Sequence, residues 1–170
     1  PKGRKLQAIT VSANRGQTNI RQANFENATI KTKGYHLRIT ESSIKNSTLT
    51  TPSIINIFDT ELTDSQVKTE GGHIYAENIK IQGKVELDSH NDLRLFLSKT
   101  EFDRINLDMS SKHGGIYRKA QREHPKQKEN ELANPYKTEK ADVKDLLIIK
   151  ANQDIYLPKE EEYSAPPSNH

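Results

Sequence analysis

The sequence predicts an all-β parallel β-helix, also called a β-solenoid. Three observations predict it: short stretches of alternating apolar and polar residues, an apolar residue that recurs about every 19 residues, and turn-forming residues between the stretches. Strands this short cannot bury their faces alone, whereas a fixed period lets each coil stack on the next at about 4.8 Å. We therefore expect rungs of about 19 residues, wound right-handed because parallel crossovers usually take that hand.

The first strand of each rung supplies one inward-facing apolar residue. Successive inward residues are 19, 19, 18, 20 and 20 positions apart, and they are Val11, Ile30, Leu49, Val67, Leu87 and Leu107. Because these steps are nearly constant, the side chains should stack as one column in the core.

A turn and a second strand follow each first strand. The turns contain Gly or Asn, which tolerate positive φ, as in Lys33-Gly34 and Glu70-Gly71-Gly72. The second strands begin at Leu37, Ile55, Ile74, Leu93 and Ile116. A third apolar contact in each rung comes from Phe25, Ile44, Leu62, Ile81 and Phe102. The rival fold, an antiparallel sandwich, would need Asn-Gly or Asp-Gly hairpins between longer strands, and the sequence has none.

A single domain over residues 1–157 is expected, because the chain of 170 residues does not divide into parts of different character. Residues 118–144 interrupt the repeat with a lysine-rich stretch that contains Pro125 and Pro135. We expect an exposed insertion loop there, either a mobile connection or a partner-binding arm. The solenoid resumes over residues 147–157, and residues 158–170 should form a disordered tail.

Composition excludes several classes of protein. The sequence has no cysteine, which excludes disulfides, thiol redox chemistry and cysteine-bound zinc, and which is common in secreted proteins of Gram-positive bacteria. No apolar run reaches the roughly 18 residues of a membrane span. The net charge of +3 comes from residues 118–144, with eight Lys/Arg and five Asp/Glu, so no long basic face points to nucleic acid. We interpret Pro1 as an internal residue of a longer protein, whose preceding part could hold a membrane anchor.

Several turns carry weakened forms of a polar-Asn-Gly-Asp-Ile element, at Asn14-Arg15-Gly16, Thr69-Glu70-Gly71 and Asn152-Gln153-Asp154-Ile155. With the ladder of short strands from Leu6 to Leu157, they resemble the bacterial domains of unknown function that carry the family label "adhesin". The resemblance implies a β-helical fold, an extracellular position at the cell surface, often behind an N-terminal membrane segment, and in some relatives a link to cell-envelope stress. It implies no catalytic residues. Pro52 and His90-Asn91 depart from the family pattern, which has glycine at these turns.

The outward residues of the second strands form a candidate binding column. They are Arg38, Asn56, Tyr75, Arg94 and Tyr117, with Tyr156 after the insertion. Tyrosine rings stack on sugar rings, and Arg and Asn donate hydrogen bonds, so the column could bind a glycan. Surfaces of β-sheets also favour Tyr and Arg without any ligand.

Asp88 and Asp108 are weak candidates for a cation site or a catalytic pair. Their separation of 20 residues would place them on neighbouring rungs. Such a pair could hold Ca²⁺ or share a proton, as acidic clusters do in glycan-active β-helix enzymes. Lys68 should lie one rung below Asp88, and no long loops wall a cleft, so solvated surface charges are the simpler interpretation.

These observations favour a non-catalytic cell-surface module without a cofactor. A rigid solenoid offers a long face to a cell-surface glycan or a protein, and contact with a membrane would come only through a preceding segment. The alternative is a glycan-active β-helix enzyme, either a polysaccharide lyase or a hydrolase.

Overall fold

A computed structural model of the chain describes residues 16–118 and 131–158. Val11 of the expected inward column lies outside the described residues. So do residues 119–130 of the charged insertion and residues 159–170 of the expected tail.

The described strands form three sheets, which we call A, B and C, and most rungs contribute one strand to each. Sheet A has eight strands, in spatial order β1 (Gln17–Arg21), β4 (His36–Thr40), β7 (Ile54–Phe58), β10 (Ile74–Glu77), β13 (Leu93–Phe96), β19 (Ile155–Leu157), β15 (Ile116–Arg118) and β16 (Glu131–Leu132). Sheet B has four, in the order β11 (Lys80–Gln82), β8 (Glu61–Thr63), β5 (Ser43–Lys45) and β2 (Asn24–Glu26).

Sheet C has seven strands, in spatial order β17 (Tyr136–Lys137), β14 (Asn106–Ser111), β18 (Leu146–Ala151), β12 (Lys84–Ser89), β9 (Gln66–Thr69), β6 (Thr48–Thr51) and β3 (Thr29–Lys31). Among the described strands, all pairings are parallel except those of β16 and β17. Parallel strands from successive coils, stacked in three sheets, confirm the predicted parallel β-helix.

The core is a stack of inward side chains from all three sheets. The inward residues predicted for the first strands are buried as expected: Ile30, Leu49, Val67, Leu87 and Leu107 are at most 1% exposed. Of the third contacts, Ile44, Leu62 and Ile81 are fully buried, whereas Phe25 and Phe102 pack against the core from its edge.

The end of the chain does not continue the stack in sequence order. Strand β18 lies between β12 and β14, with six parallel residue pairs on each side. Strand β19 lies between β13 and β15. Residues 146–157, which we call the inserted coil, therefore form a rung between two rungs that precede them in the chain. The solenoid does resume after residues 118–144, as the sequence predicted, but its last rung lies between two earlier rungs rather than beyond them.

The inserted coil also changes the predicted inward column. Leu107 shares its row with Leu147 and Val85, whereas Leu87 shares its row with Ile149 and Met109. The predicted step from Leu87 to Leu107 joined two different rows, because alternating strands bury the same face after any shift by two residues.

A helix replaces a strand of sheet B at the point where the chain leaves room for the inserted coil. Helix α1 (Lys99–Arg104) follows β13. The connection from β13 to β14 advances two rung positions along the solenoid instead of one, because β18 occupies the position between β12 and β14. The Glu101 side chain accepts a hydrogen bond from the Ile81 backbone N–H at 2.6 Å, so α1 covers the edge of sheet B.

Each regular rung has two corners at which a single residue with positive φ turns the chain. Between sheets A and B they are Gln22, Glu41, Asp59 and Asn78, with φ from 48° to 52°. Between sheets B and C they are Asn27, Asn46, Asp64 and Gly83, with φ from 45° to 64°. A buried hydroxyl often follows: Ser47 Oγ accepts from Ala28 N at 3.0 Å and donates to Lys45 O at 2.7 Å. These bonds satisfy backbone groups that the corners would otherwise leave unpaired.

The second half of the predicted insertion loop is packed on the end rung. Strands β16 and β17 pair antiparallel with β15 and β14. Leu132 and Tyr136 pack against the core, and Lys140 Nζ donates to Ile105 O at 3.0 Å. This part of the predicted loop therefore docks on the otherwise open end of the solenoid, while most of its side chains remain exposed.

Candidate binding face on the eight-stranded sheet

The outer face of sheet A carries the predicted column. The register places Asn19, Arg38, Asn56, Tyr75, Arg94, Tyr156 and Tyr117 next to one another in that spatial order. Tyr156 lies between Arg94 and Tyr117 because its strand belongs to the inserted coil. Sequence reasoning missed Asn19, which the same repeat position on the preceding rung would have indicated.

A second row of aromatic rings packs against the column. Tyr75 lies between Phe58 and Phe96, with ring centroids 5.6 and 5.4 Å apart and tilted ring planes. These distances fall in the range of favourable aromatic pairs. Sequence reasoning missed both phenylalanines, although each lies two positions after an outward residue of its strand and so faces the same side. We call the column and these two phenylalanines the aromatic face.

Two arginine side chains contact rings of the aromatic face. The Arg38 guanidinium lies 4.8 Å from the centre of the Phe58 ring, and that of Arg94 lies 5.6 Å from the centre of the Tyr156 ring. Tyr156 and Tyr117 are stacked, with centroids 5.9 Å apart. Ring stacking and cation–π contacts hold these side chains in fixed positions along the sheet.

The tyrosine hydroxyls are already bonded within the protein. Tyr75 donates to Glu77 Oε2, and Tyr156 donates to Asp154 Oδ2, both at 2.9 Å. Burial, with the hydrogen bond to the neighbouring carboxylate, raises the pKa of both tyrosines above the usual range. Both therefore remain neutral at physiological pH, and both hydroxyls are engaged by neighbouring carboxylates rather than offered to a ligand.

Accessibility varies along the face. Arg38 and Arg94 are exposed, and Asn56, Tyr75 and Tyr117 are half-buried. Tyr156 is only 8% exposed and supports its neighbours more than it offers a surface. The arrangement suits a ligand that lies flat along the sheet and contacts guanidinium groups and ring faces in turn.

A polar groove of about 430 Å³ lies beside this face, at the corner between sheets A and B. It is lined by the corner residues Glu41, Asp59 and Asn78, with Glu61 and Lys80 of sheet B. Asn78 Nδ2 donates to Asp59 Oδ1 at 2.6 Å, so two of the lining side chains already satisfy each other.

Asp88 and Asp108 do not form the predicted pair. Strand β18 separates them, and they are out of register, because Asp88 pairs with Lys150 whereas Asp108 pairs with Ile148. Each has its own lysine: Asp88 lies 3.4 Å from Lys68 Nζ, and Asp108 lies 2.9 Å from Lys137 Nζ. The expectation of neighbouring rungs is wrong because the sequence did not reveal the inserted coil.

Lysine also occupies the space between these carboxylates. Lys150 Nζ donates to Glu86 Oε1 at 2.7 Å, and this bond, together with the charges of Glu86, Asp88 and Asp108, raises the Lys150 pKa.

Within residues 16–118 and 131–158, no group of three or more His, Cys, Asp or Glu side chains could hold a metal ion. Neither does any helix in this part of the chain have the length and apolar character needed to cross a membrane.

Comparisons with known proteins identify the family of the chain. Searches of curated proteins and of solved structures gave no match. The family model described as Toastrack DUF4097, a domain of unknown function, matches residues 2–157, nearly the same stretch that carries the adhesin-like resemblance. That description supports the solenoid fold and carries no adhesive role. Because the match covers far more than half of the sequence, the chain belongs to the Toastrack DUF4097 family.

Proposed function

We propose that the chain is a non-catalytic interaction module, and that its partner binds along the aromatic face of sheet A. The observation that carries this proposal is two adjoining runs of ring and guanidinium contacts, Arg38–Phe58–Tyr75–Phe96 and Arg94–Tyr156–Tyr117, which meet where Tyr75 pairs with Arg94. Aromatic and arginine side chains contribute most binding energy at protein surfaces, and all of those in this face except Tyr156 are exposed or half-buried.

The face is rigid before any ligand arrives. Its side chains project from parallel strands that are hydrogen-bonded on both sides, and their rings support one another. Binding would therefore cost little conformational entropy, which favours affinity even on a shallow surface.

The partner that suits this geometry is an extended polymer, and a cell-surface glycan is the first choice. The column repeats at about 4.8 Å along a straight line, so a linear chain can make the same kind of contact on successive rungs. A protein that presents a flat surface is the second choice, because arginine and aromatic rings are also enriched at protein interfaces. The proposed place of action is the cell surface, behind a membrane segment in a longer protein, as the adhesin-like resemblance implies.

The test compares two variants of the aromatic face with one control variant in binding assays with a panel of cell-wall and host polysaccharides. Tyr75→Ala removes the central ring of the aromatic face, and Arg94→Ala removes an exposed guanidinium from it. Tyr35→Ala is the matched control, because Tyr35 is 71% exposed and precedes β4, outside the face. We expect Tyr75→Ala to weaken binding about tenfold or more, the effect of losing about 1.4 kcal/mol.

Melting temperatures measured in parallel should show that all three variants remain folded. Binding that is weakened by Tyr35→Ala but not by the two variants of the aromatic face would contradict the proposed site. Reproducible cleavage of a polysaccharide by the wild-type chain would contradict the non-catalytic role.

A further inference from the structure

The inserted coil is held entirely by strands that are not its neighbours in sequence. On sheet C it pairs with β12 and β14, and on sheet A with β13 and β15. The polypeptide enters this position only after it has completed the end rung and passed through β16 and β17. The position that the inserted coil fills has two walls, residues 84–96 on one side and residues 106–118 on the other. We call this position the acceptor gap.

The acceptor gap needs this coil to be filled. Leu147, Ile149 and Ile155 are fully buried, and Leu157 is only 2% exposed. An empty gap would leave two rows of backbone groups on each wall without partners and would open the core to water. Any stable form of the chain therefore has a coil of this sequence between the two walls.

The contacts that lead into the gap are polar and less buried than the gap itself. Thr138 Oγ1 accepts from Leu107 N at 2.8 Å, Asn106 Oδ1 accepts from Lys140 N at 2.8 Å, and Asp145 forms an ion pair with Arg104. These bonds hold the segment before the coil against the end rung, whereas the two ladders and the buried side chains hold the coil itself.

From these observations we infer that the acceptor gap also takes the coil of a second copy, which gives a strand-exchanged dimer. Every ladder pair and every buried contact of the coil would be the same in the dimer as in the monomer, so the coil itself does not distinguish them. The balance depends on chain concentration against the effective concentration of the coil that the same chain holds beside its own gap. The folded monomer dominates in dilute solution, and the dimer forms when chains fold together at high concentration.

The lack of native cysteine makes the exchange measurable in the full chain. Glu86 of β12 and Ile148 of β18 are register partners on the outer face of sheet C, at a strand spacing that a disulfide can bridge. One variant carries Glu86→Cys and the other carries Ile148→Cys. The two are unfolded together, refolded together at high concentration and oxidised. Glu61→Cys replaces Glu86→Cys in the matched control, because Glu61 projects from sheet B and does not pair with the inserted coil.

We expect a covalent heterodimer linked between positions 86 and 148, identified by mass spectrometry. It should exceed the control pair several-fold, and its yield should rise with the refolding concentration. Variants folded separately and then mixed should not form it, because the gap is already filled. Light scattering on wild-type chain refolded over the same concentrations should show a growing dimer fraction.

The double variant Glu86→Cys/Ile148→Cys distinguishes two ways in which the inference can fail. If it forms the bond within one chain while the mixed single variants link no more than the control, the coil stays in its own copy and the exchange is overturned. If it forms no bond within or between chains although circular dichroism shows it folded, the coil does not lie beside β12 and the inference is overturned at its base.

Discussion

The solenoid has a regular part, from β1 to β13, and a C-terminal end, from α1 to β19, and the two differ in how chain order relates to spatial order. In the regular part each rung stacks on the one before it, as when Gln17 pairs with His36 and Tyr75 pairs with Arg94. At the C-terminal end the last rung of the chain lies between the rung of β12 and β13 and the rung of β14 and β15. A sequence period therefore predicts neighbours only while the chain advances one rung per coil.

The same difference appears in how strand edges are protected. In the regular part each strand edge is covered by the next rung, through ladder bonds and buried hydroxyls such as Ser47 and Ser65. At the C-terminal end, helix α1 covers sheet B, and β16 and β17 cover sheets A and C. Non-repeating elements are thus found where the repeat can no longer supply a partner.

The largest expected effect of a substitution comes from the core of the inserted coil. Ile149→Ala removes a fully buried side chain that contacts rungs on both sides, so the free energy of unfolding should fall by about 2–5 kcal/mol. Leu49→Ala in the regular part should cost a similar amount. Chemical denaturation measures both.

The matched control is Ile148→Ala, the outward and half-buried neighbour in the same strand. It should cost clearly less than Ile149→Ala. Equal effects of the two substitutions would mean that the inserted coil is not part of the core.

The next effect concerns the helix that replaces a strand. Glu101→Ala leaves the Ile81 backbone N–H without its acceptor and removes one of the partners of Arg104, which should lower the free energy of unfolding by about 1–3 kcal/mol. Glu101→Gln keeps an acceptor oxygen and should lose less. A thermal shift no larger than that of an exposed α1 substitution such as Lys99→Ala would show that Glu101 does not protect the sheet edge.

A smaller effect is expected at the corners of the regular part. Asn46 has a φ of 48°, a conformation that alanine adopts less readily, so Asn46→Ala should cost about 1 kcal/mol. Asn46→Gly should be close to neutral because glycine reaches positive φ without a steric penalty. If glycine costs as much as alanine, the side chain of Asn46 rather than its backbone conformation stabilises the corner.

The smallest effect is expected for the outer-face charges near the former candidate pair. Lys68 and Asp88 lie 3.4 Å apart and are both partly exposed, so Lys68→Ala should change the free energy of unfolding by at most about 1 kcal/mol. Added salt should reduce the difference between variant and wild type by screening. A larger loss that persists in high salt would show that this ion pair is structural.

The sequence was sufficient to predict the regular part because its information is local. Alternation at Leu37-Arg-Ile39 or Ile55-Asn-Ile57 shows which side chains face inward, and the constant step shows which rungs touch. The outward column of the candidate face followed from the same steps. Phe58 and Phe96 lie in the second outward row, where Thr40 and Glu77 occupy the same position on other rungs, so no repeated residue type marks that row.

The rest could not be predicted because it depends on non-local choices. The stretch Ile105-Asn-Leu107 alternates as well as Val85-Glu-Leu87, so nothing local shows that residues 146–157 come between them. Gln22 and Glu41 give no sign of positive φ, since neither is a residue type that favours it. The charge of residues 118–144 suggested a loop and gave no sign that Leu132 and Tyr136 pack against the core.

Hydrogen exchange of the native chain tests the central claim, that the last coil lies inside the stack. Amides of residues 146–157 are predicted to be among the slowest to exchange, as slow as those of β12, because strands cover the coil on both sides. The amides of β16 and β17, at the end of the solenoid, should exchange faster. Fast exchange over residues 146–157, with slow exchange in β12 and β13, would instead place the last coil on the end of the solenoid and contradict the account.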